Sequence, residues 1–207
     1  MTAAWPAIAA ARLHDAALRV PFSVAGRRVG SVARAHLPAL AAWPQWLRVA
    51  EGGVTLIADE RDRALAEIHA ALRTQGLIRA WRDEPFPLFD PDSREPLACI
   101  ERAASRFWGT LTLGAHANGY VADDRGRPTH LWIARRSAHK ATDPGLFDNL
   151  IGGGVPAGQS PREALVREGF EEAGLTPSQL AGALPGRVIR LQQIGRASCR
   201  ERVSIDV

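Results

Sequence analysis

Three glutamates in the second half of the chain have the spacing of a metal-binding helix face. Glu168, Glu171 and Glu172 are separated by three and four positions, so in an α-helix they lie within about 100° of one another. Three like charges repel by roughly a few tenths of a kcal/mol per pair, whereas a divalent cation with oxygen ligands reverses that penalty. The pattern therefore favours a cation site beside a phosphate, although such glutamates also occur on ordinary solvated helix faces.

The residues around these glutamates predict where the helix begins and ends. Ser160 suits the N-cap, Pro161 the first helical position and Glu163 the third, and together they form a capping box. Gly174 stands where a left-handed C-terminal cap belongs. We therefore predict a helix over residues 161–173.

The sequence also indicates what surrounds the glutamate face. Val166, Phe170 and Ala173 fall on the opposite face of the predicted helix, and we expect them to be buried. The segment Gly152–Gly154 approaches the helix without side chains. Its backbone can therefore come close to a metal ion or a phosphate.

With these features, residues 152–175 resemble the box of the Nudix hydrolase family, G-x5-E-x7-R-E-U-x-E-E-x-G-U, in which U is apolar. The matching positions are Gly153, Arg167, Glu168, Glu171, Glu172, Gly174 and Leu175. The preceding segment, with Pro144, Gly145 and Asp148, is also similar to the family's approach to the box.

Two positions depart from the box. Gln159 stands where the family has its first glutamate, and it keeps a polar oxygen without the charge. We expect this change to weaken the chemistry without abolishing it. Gly169 stands where the family has an apolar residue, and we expect it to cost about 1 kcal/mol of helix stability relative to alanine and to leave a packing gap.

The resemblance implies a site for Mg2+, or Mn2+ in its place, held by Glu168, Glu171 and Glu172 with the carbonyl oxygen of Gly153. It implies catalytic roles for Arg167, Glu168 and Glu171. The guanidinium would orient Glu168 by a charge-assisted hydrogen bond, and one of the carboxylates would act as the base. In such enzymes the metal neutralises the diphosphate and lowers the pKa of the attacking water.

Three basic residues, Arg135, Arg136 and Lys140, are candidates for binding the substrate's phosphates. Their charges equally suit the solvated end of a strand. No metal-ligand spacing relates the histidines of the second half, and we predict that they are ordinary surface or core residues: His116, His130 and His139.

A further resemblance covers most of the chain. The N-terminal segment, the sequence FPLF and the stretch from LWIARRS to GQSPREAL are similar to Nudix proteins related to the thiamine pyrophosphokinase-associated group, which carry a small N-terminal domain of the DUF4743 type. The substrates this implies are thiamine diphosphate, its oxidised derivatives or an oxidised nucleoside diphosphate of the 8-oxo-dGDP type. The alternative is a non-catalytic diphosphate-binding module, inactive through truncation and through Gln159.

The chain is predicted to be an α/β protein of the α+β type with two domains. Residues 1–108 form a small α+β domain that includes a proline-rich linker at 83–97, and residues 109–193 form an incomplete Nudix α/β/α sandwich with a mixed sheet. The sequence IGRASCRERV within residues 194–207 resembles a translated sequencing adapter. We therefore expect an artefactual tail and a C-terminally truncated domain.

Local patterns predict the elements of the first domain. Residues 22–32 suit a hairpin around Gly26, residues 54–58 suit a strand, and residues 61–75 suit a helix that Gly76 ends. A short helix is expected over residues 99–107.

Composition narrows the partners and the compartment. The chain has 207 residues, a net charge of +4 and only two cysteines, which favours a reducing cytoplasm over a disulfide scaffold. Lys140 is the only lysine, and the arginines are dispersed, so we expect a small-molecule partner and no nucleic acid. No apolar run approaches the length of a membrane span, and the oligomeric state is not indicated.

Overall fold

The computed structural model describes residues 16–139, 144–191 and 200–206. The chain divides into two compact units, with the main boundary between Thr112 and Leu113. Each unit has its own core of buried apolar residues. No helix within the described ranges is long and apolar enough to cross a lipid bilayer.

A four-stranded sheet forms the centre of the first unit. Its strands, in the order β2-β1-β4-β3, are β1 (Arg19–Val24), β2 (Arg27–Ala33), β3 (Leu47–Ala50) and β4 (Gly53–Leu56). The predicted hairpin is confirmed, since Ala25 and Gly26 both take positive φ and connect antiparallel β1 and β2. β1 also pairs in parallel with β4, which places β1 in the interior of the sheet.

Among the described residues, three α-helices accompany this sheet: α1 (Leu37–Leu40), α2 (Arg61–Thr74) and α3 (Ala104–Trp108). The long helix α2 confirms the prediction for residues 61–75. Leu65, Ile68 and Leu72 are buried, as their spacing of three and four requires. Gly76 follows the helix with a φ of 72°, a left-handed conformation that ends it.

The prediction of an irregular proline-rich linker over residues 83–97 was wrong. The structure has a two-stranded antiparallel hairpin there, with strands β5 (Pro85–Phe89) and β6 (Pro96–Glu101). Phe86 and Leu88 alternate with the prolines and enter the core. In the described part of the chain β5 pairs only with β6, and a proline is tolerated on a strand that has one free side.

The helix expected over residues 99–107 begins later. Cys99 lies in β6, and the helix α3 starts at Ala104. The strand β6 extends to Glu101 because Glu101 pairs with Pro85 of β5. Gly109, with a φ of 57°, ends the helix.

Trp108 joins the elements of the first core. Its indole stacks on Phe22 of β1, with 4.2 Å between ring centroids and 27° between ring planes. Its Nε1–H donates to Nε2 of His69 on α2 at 2.7 Å. Both rings are almost fully buried, and burial lowers the pKa of His69 from 6.5 to about 3. His69 is therefore a neutral acceptor whose proton resides on Nδ1.

The buried His69 predicts that the first unit loses stability in mild acid. The unfolded chain binds a proton at His69 below pH 6.5, whereas the folded chain binds it only near pH 3. The contribution of His69 to the free energy of unfolding is therefore complete above pH 6.5 and falls by about 1.4 kcal/mol per pH unit below it. Denaturant unfolding followed by tryptophan fluorescence at pH 7 and pH 5 measures this loss.

The matched control is His69→Gln, because a glutamine amide oxygen accepts the Trp108 N–H without titrating. We expect this variant to lose about 2 kcal/mol less than the wild type between pH 7 and pH 5. Equal losses in the two proteins would contradict a neutral buried His69.

The described residues of the second unit form one larger sheet and two separate strand pairs. Its strands are β7 (Thr112–Asn118, which begins at the boundary), β8 (Tyr120–Ala122), β9 (Pro128–Leu131), β10 (Ala134–Arg135), β11 (Phe147–Asp148), β12 (Ile151–Gly154), β13 (Leu184–Leu191) and β14 (Arg200–Asp206). The large sheet has the order β12-β7-β14-β13, and the pairs β8–β9 and β10–β11 stand apart. Strands and helices in both units confirm the α+β class.

Among the described residues, the helix α4 (Pro161–Ala173) packs on the β12 side of this sheet. Its buried residues include Ala164, Leu165 and Gly169, which face Ala115, Ala117 and Ile151 in the second core. The expectation that Phe170 is buried was wrong, because the Phe170 side chain is 65% exposed. The helix turns the stripe containing Leu165 and Gly169 towards the sheet, and this rotates Phe170 out of the core.

The packing gap expected at Gly169 is absent from the described structure. A Cβ atom at Gly169 would lie 2.7 Å from Cδ1 of Leu180 and 3.2 Å from Cδ1 of Ile151. Leu180, which is fully buried, therefore occupies the space that a larger residue would need. Gly169 lowers the helix propensity of α4 but allows close contact between α4 and its neighbours.

The C-terminal expectations fall partly beyond the described residues. Residues 194–199 of the adapter-like sequence lie outside them, while 200–206 form β14. The predicted domain limits and the predicted truncation remain predictions.

Candidate metal and diphosphate site

The start of α4 is held by the capping box that the sequence predicts. Ser160 Oγ accepts from the Glu163 backbone N–H at 3.2 Å, and the Glu163 carboxylate accepts from the Ser160 N–H at 2.7 Å. Gly174 ends the helix with a φ of 65°. Because both ends are fixed, the angular positions of the glutamates between them are fixed too.

Glu168 lies between the helix and the glycine strand β12. Its side chain is only 12% exposed. A Cβ atom at Gly153 would overlap the Glu168 carboxyl group and its Cγ, so the carboxyl group rests directly on the backbone of β12. Gly153, which the sequence predicts beside the site, therefore leaves the space that this carboxylate occupies.

This burial affects the pKa of the Glu168 carboxyl group. Desolvation raises the pKa of the Glu168 carboxyl above its usual value, and the nearby Arg167 opposes the rise, whereas Glu172 and Glu171 add to it. A cation close to the carboxylate would favour its ionised form.

Arg167 connects the glutamates to the loop before the helix. Its Nη1 lies 2.9 Å from Glu168 Oε1 and 3.6 Å from Glu171 Oε2. Its Nε contacts the Gln159 amide oxygen at 3.5 Å, and its Nη2 contacts the Gly154 carbonyl at 3.4 Å. Gln159 thus still provides an oxygen to Arg167, although it brings no charge.

Glu172 faces the edge of β12. Its Oε2 accepts from the Gly152 backbone N–H at 3.0 Å, and both Glu171 and Glu172 are exposed. The structure therefore brings Glu168, Glu171 and Glu172 to one side of α4, next to Gly152–Gly154.

The three carboxylates have the donor chemistry of a hard divalent cation. As the side chains stand, no three His, Cys, Asp or Glu residues in the described ranges converge on a single point that could hold a metal. Glu168 is fixed by packing and Glu172 accepts from the Gly152 N–H, whereas the exposed Glu171 carboxylate lies 3.6 Å from Arg167 Nη1. The cradle at Gly153 and the oxygen donors fit a divalent ion once the exposed Glu171 side chain turns towards Glu168.

The predicted substrate-binding residues have different environments. Arg135 is exposed, and its Nε donates to the Gly145 carbonyl at 3.2 Å. Arg136 forms an ion pair with Asp148, with 2.6 Å between Nη1 and Oδ2. Lys140 lies outside the described residues. Of the two described arginines, Arg135 is the more accessible to a phosphate.

Sequence reasoning missed two polar residues next to β12. Asn149 Nδ2 donates to the Ile151 carbonyl and contacts Nδ1 of His116 on β7 at 3.1 Å. His116 was predicted to be an ordinary histidine, and Asn149 was given no role. The available signal was the adjacency of Asn149 to the glycine strand, in the sequence DNLIGGG.

Comparison with known families divides the chain in the same region as the structure. A model of DUF4743, a domain of unknown function, matches residues 6–112, and a model of the NUDIX domain matches residues 112–194. The chain belongs to the Nudix hydrolase family. Its Nudix domain follows a DUF4743 domain, and both parts of the resemblance read from the sequence are confirmed.

Curated relatives cover both parts of this Nudix protein. Nudix hydrolase 24, chloroplastic, of Arabidopsis thaliana is 37% identical over 138 residues, which are 67% of this chain and 37% of that protein. Nudix hydrolase 20, chloroplastic, of the same plant is 38% identical over 118 residues, which are 57% and 31% of the two chains. The chain therefore spans about a third of the length of these relatives.

One solved structure is also similar to the Nudix protein. The crystal structure of DR0079 from Deinococcus radiodurans matches with a TM-score of 0.44 and 22% identity, over 59% of this chain and 70% of that one.

Substitution of Gly153 tests the contact between the Glu168 carboxylate and β12. A methyl group in Gly153→Ala overlaps that carboxyl group, so we expect the free energy of unfolding of the second unit to fall by about 1–3 kcal/mol. Denaturant titration, followed by the fluorescence of Trp132 in a protein whose other tryptophans are replaced by phenylalanine, measures the change.

Gly182→Ala is the matched control, since a Cβ atom there meets nothing within 4 Å. We expect the unfolding free energy of this variant to stay within about 0.5 kcal/mol of its parent. Equal stability of the two variants would contradict the close approach at Gly153.

Proposed function

We propose that this chain hydrolyses a phosphoanhydride bond in a small organic diphosphate, with Mg2+ as its cofactor and Mn2+ as a substitute. The observation that supports it best is the placement of the Glu168 carboxylate, which rests against Gly153, is oriented by Arg167 and lies beside two exposed glutamates. Family membership supports the reaction class, because Nudix hydrolases act on pyrophosphate bonds and generally use a divalent metal.

In this proposal Glu168, Glu171 and Glu172 hold the metal, together with the Gly153 carbonyl oxygen. When bound, the ion neutralises the diphosphate and makes a water more acidic. Packing fixes Glu168, the Gly152 N–H holds Glu172, and the exposed Glu171 adapts to them.

The other residues of the site orient the carboxylates and attract the diphosphate. Arg167 holds Glu168 by a charge-assisted contact at 2.9 Å and so prevents its carboxylate from turning away. Glu168 and Glu171 are the candidates for the base that accepts the proton of the attacking water. Arg135 and Lys140 attract the diphosphate, whereas Arg136 stabilises the β10–β11 hairpin through its ion pair with Asp148.

The proposed substrates are thiamine diphosphate, its oxidised derivatives and oxidised nucleoside diphosphates of the 8-oxo-dGDP type. All of them join an aromatic ring system to a diphosphate. In the second unit Trp132 and Phe147 are 61% and 79% exposed, and Phe147 is the cross-strand partner of Arg135. An aromatic ring beside a basic side chain suits such a ligand.

Removal of two carboxylates tests the proposal. We expect Glu171→Gln combined with Glu172→Gln to lower Mg2+-dependent phosphate release at least about 100-fold, because amides bind a hard cation far less well than carboxylates. Phosphate release from each proposed diphosphate is measured with the purified chain, with and without EDTA, and activity is expected to return on addition of Mg2+ or Mn2+.

Glu60→Gln combined with Glu67→Gln is the matched control, since these exposed glutamates lie in the first unit around Arg63. The control variant should hydrolyse the diphosphate at the wild-type rate. Unchanged hydrolysis in the Glu171/Glu172 variant, with its circular dichroism spectrum intact, would overturn the assignment of the metal site.

A second candidate function is a diphosphate-binding module without catalysis, favoured by Gln159 in place of the first glutamate of the box. Gln159→Glu separates the two functions, because it restores a carboxylate 3.5 Å from Arg167. A wild-type chain that binds a diphosphate without hydrolysing it, and that gains hydrolysis with Gln159→Glu, would establish the binding module. Turnover by the wild type would exclude it.

A further inference from the structure

We infer that Asn149 and His116 are positioning residues that set the place of Glu172 through the peptide group between Ile151 and Gly152. The inference rests on the proposed function, since Glu172 is a proposed metal ligand. Neither residue belongs to the Nudix box, and neither contacts a carboxylate of the site in the described contacts.

The peptide group between Ile151 and Gly152 links Asn149 to Glu172. Its carbonyl oxygen, on Ile151, accepts from Asn149 Nδ2, and its N–H, on Gly152, donates to Glu172 Oε2 at 3.0 Å. A peptide group is planar and rigid, so the direction of its carbonyl determines the direction of its N–H. Asn149 therefore holds one side of the group while Glu172 binds the other.

A contact with His116 fixes the side-chain amide of Asn149. Its amide nitrogen lies 3.1 Å from His116 Nδ1, which is closer than the 3.4 Å from its amide oxygen to the same atom. One amide hydrogen is directed to the Ile151 carbonyl, so the other is available to Nδ1. With Nδ1 as the acceptor, the neutral imidazole carries its proton on Nε2, an assignment that follows from the hydrogen bonds.

The His116 ring occupies the space that side chains at two neighbouring glycines would need. His116 is the cross-strand partner of Gly152, and a Cβ atom at Gly152 would lie 2.6 Å from His116 Nδ1. A Cβ atom at Gly114 would lie 3.1 Å from His116 Nε2. The imidazole therefore lies close to the backbone at Gly114 and Gly152, with Nδ1 within reach of Asn149.

The Gly152 N–H restrains the side chain of Glu172. Glu172 is exposed on α4, and an exposed glutamate samples several rotamers unless something holds it. Among the described contacts of Glu172, the Gly152 N–H is the hydrogen-bond donor to its carboxylate. Support of that N–H by Asn149 and His116 keeps Glu172 on the β12 side of the helix, close to Glu168.

Removal of the support is expected to weaken metal binding. Asn149→Leu keeps the approximate size of the side chain and removes its donors, and we expect it to raise the dissociation constant for Mn2+ about 10-fold, as loss of residues behind metal ligands typically does. The Mn2+ affinity of the purified chain is measured by the electron paramagnetic resonance signal of free Mn2+. The control is Asn118→Leu, the same change at an exposed residue of β7, and it should bind Mn2+ like the wild type.

A double-mutant cycle shows whether Asn149 acts through Glu172. In a Glu172→Gln background, Asn149→Leu should cause no further loss of Mn2+ affinity, because the carboxylate that it positions is already gone. His116→Phe should resemble Asn149→Leu, and His116→Gln, which retains an acceptor, should recover most of the affinity.

The outcomes separate this inference from the proposed function. If the wild type binds Mn2+ and Glu172→Gln weakens that binding, either of two results would overturn the inference alone. One is an unchanged Mn2+ affinity in Asn149→Leu. The other is an equal loss of Mn2+ affinity on Asn149→Leu in the wild-type and Glu172→Gln backgrounds. A wild-type chain that binds no Mn2+ would overturn the proposed metal site, and the positioning roles with it.

Discussion

The contact between the Glu168 carboxylate and the backbone of Gly153 constrains how α4 packs against β12. A carboxylate that is only 12% exposed has lost much of its hydration, and such a group needs a positive or hydrogen-bonding partner. Arg167 provides that partner from the adjacent position of the same helix. The contact also requires glycine at position 153, because any side chain there would occupy the space of the carboxyl group. Helix and strand are consequently held at a distance that a carboxylate can bridge.

The short distance between α4 and β12 also requires small residues in the second core. Ala115, Ala117 and Ala164 are fully buried, and Gly169 leaves its space to Leu180. Larger residues at these positions would push α4 away from the sheet and withdraw Glu168 from β12. The helix therefore accepts a glycine in its interior, which costs about 1 kcal/mol of propensity relative to alanine. The family box expects an apolar residue at this position, and the neighbouring Leu180 provides the apolar contact in its place.

Local signals in the sequence were sufficient for the site helix and insufficient for its surroundings. Ser160, Glu163 and Gly174 determine the ends of α4 through contacts within a few residues, so the helix was predicted correctly. The exposure of Phe170 depends on which stripe of α4 meets the sheet, and tertiary packing determines that stripe. The β5–β6 hairpin was missed for a related reason, since prolines indicate irregular structure until the core that receives Phe86 is known. Asn149 and His116 are 33 positions apart, and no short-range pattern relates them.

The charges around Arg167 agree with a site for one divalent ion. Arg167, Glu168, Glu171 and Glu172 together carry a formal charge of −2, since three carboxylates surround one guanidinium. A single divalent cation balances that charge before any substrate arrives. A glutamate at position 159 would lie within reach of the same guanidinium and would leave one negative charge in excess, which a second cation or a protonated carboxyl group would have to offset. Gln159 keeps the oxygen that Arg167 contacts and removes the excess charge. The departure from the family box at this position therefore leaves the orientation of Arg167 in place and changes the charge balance of the site.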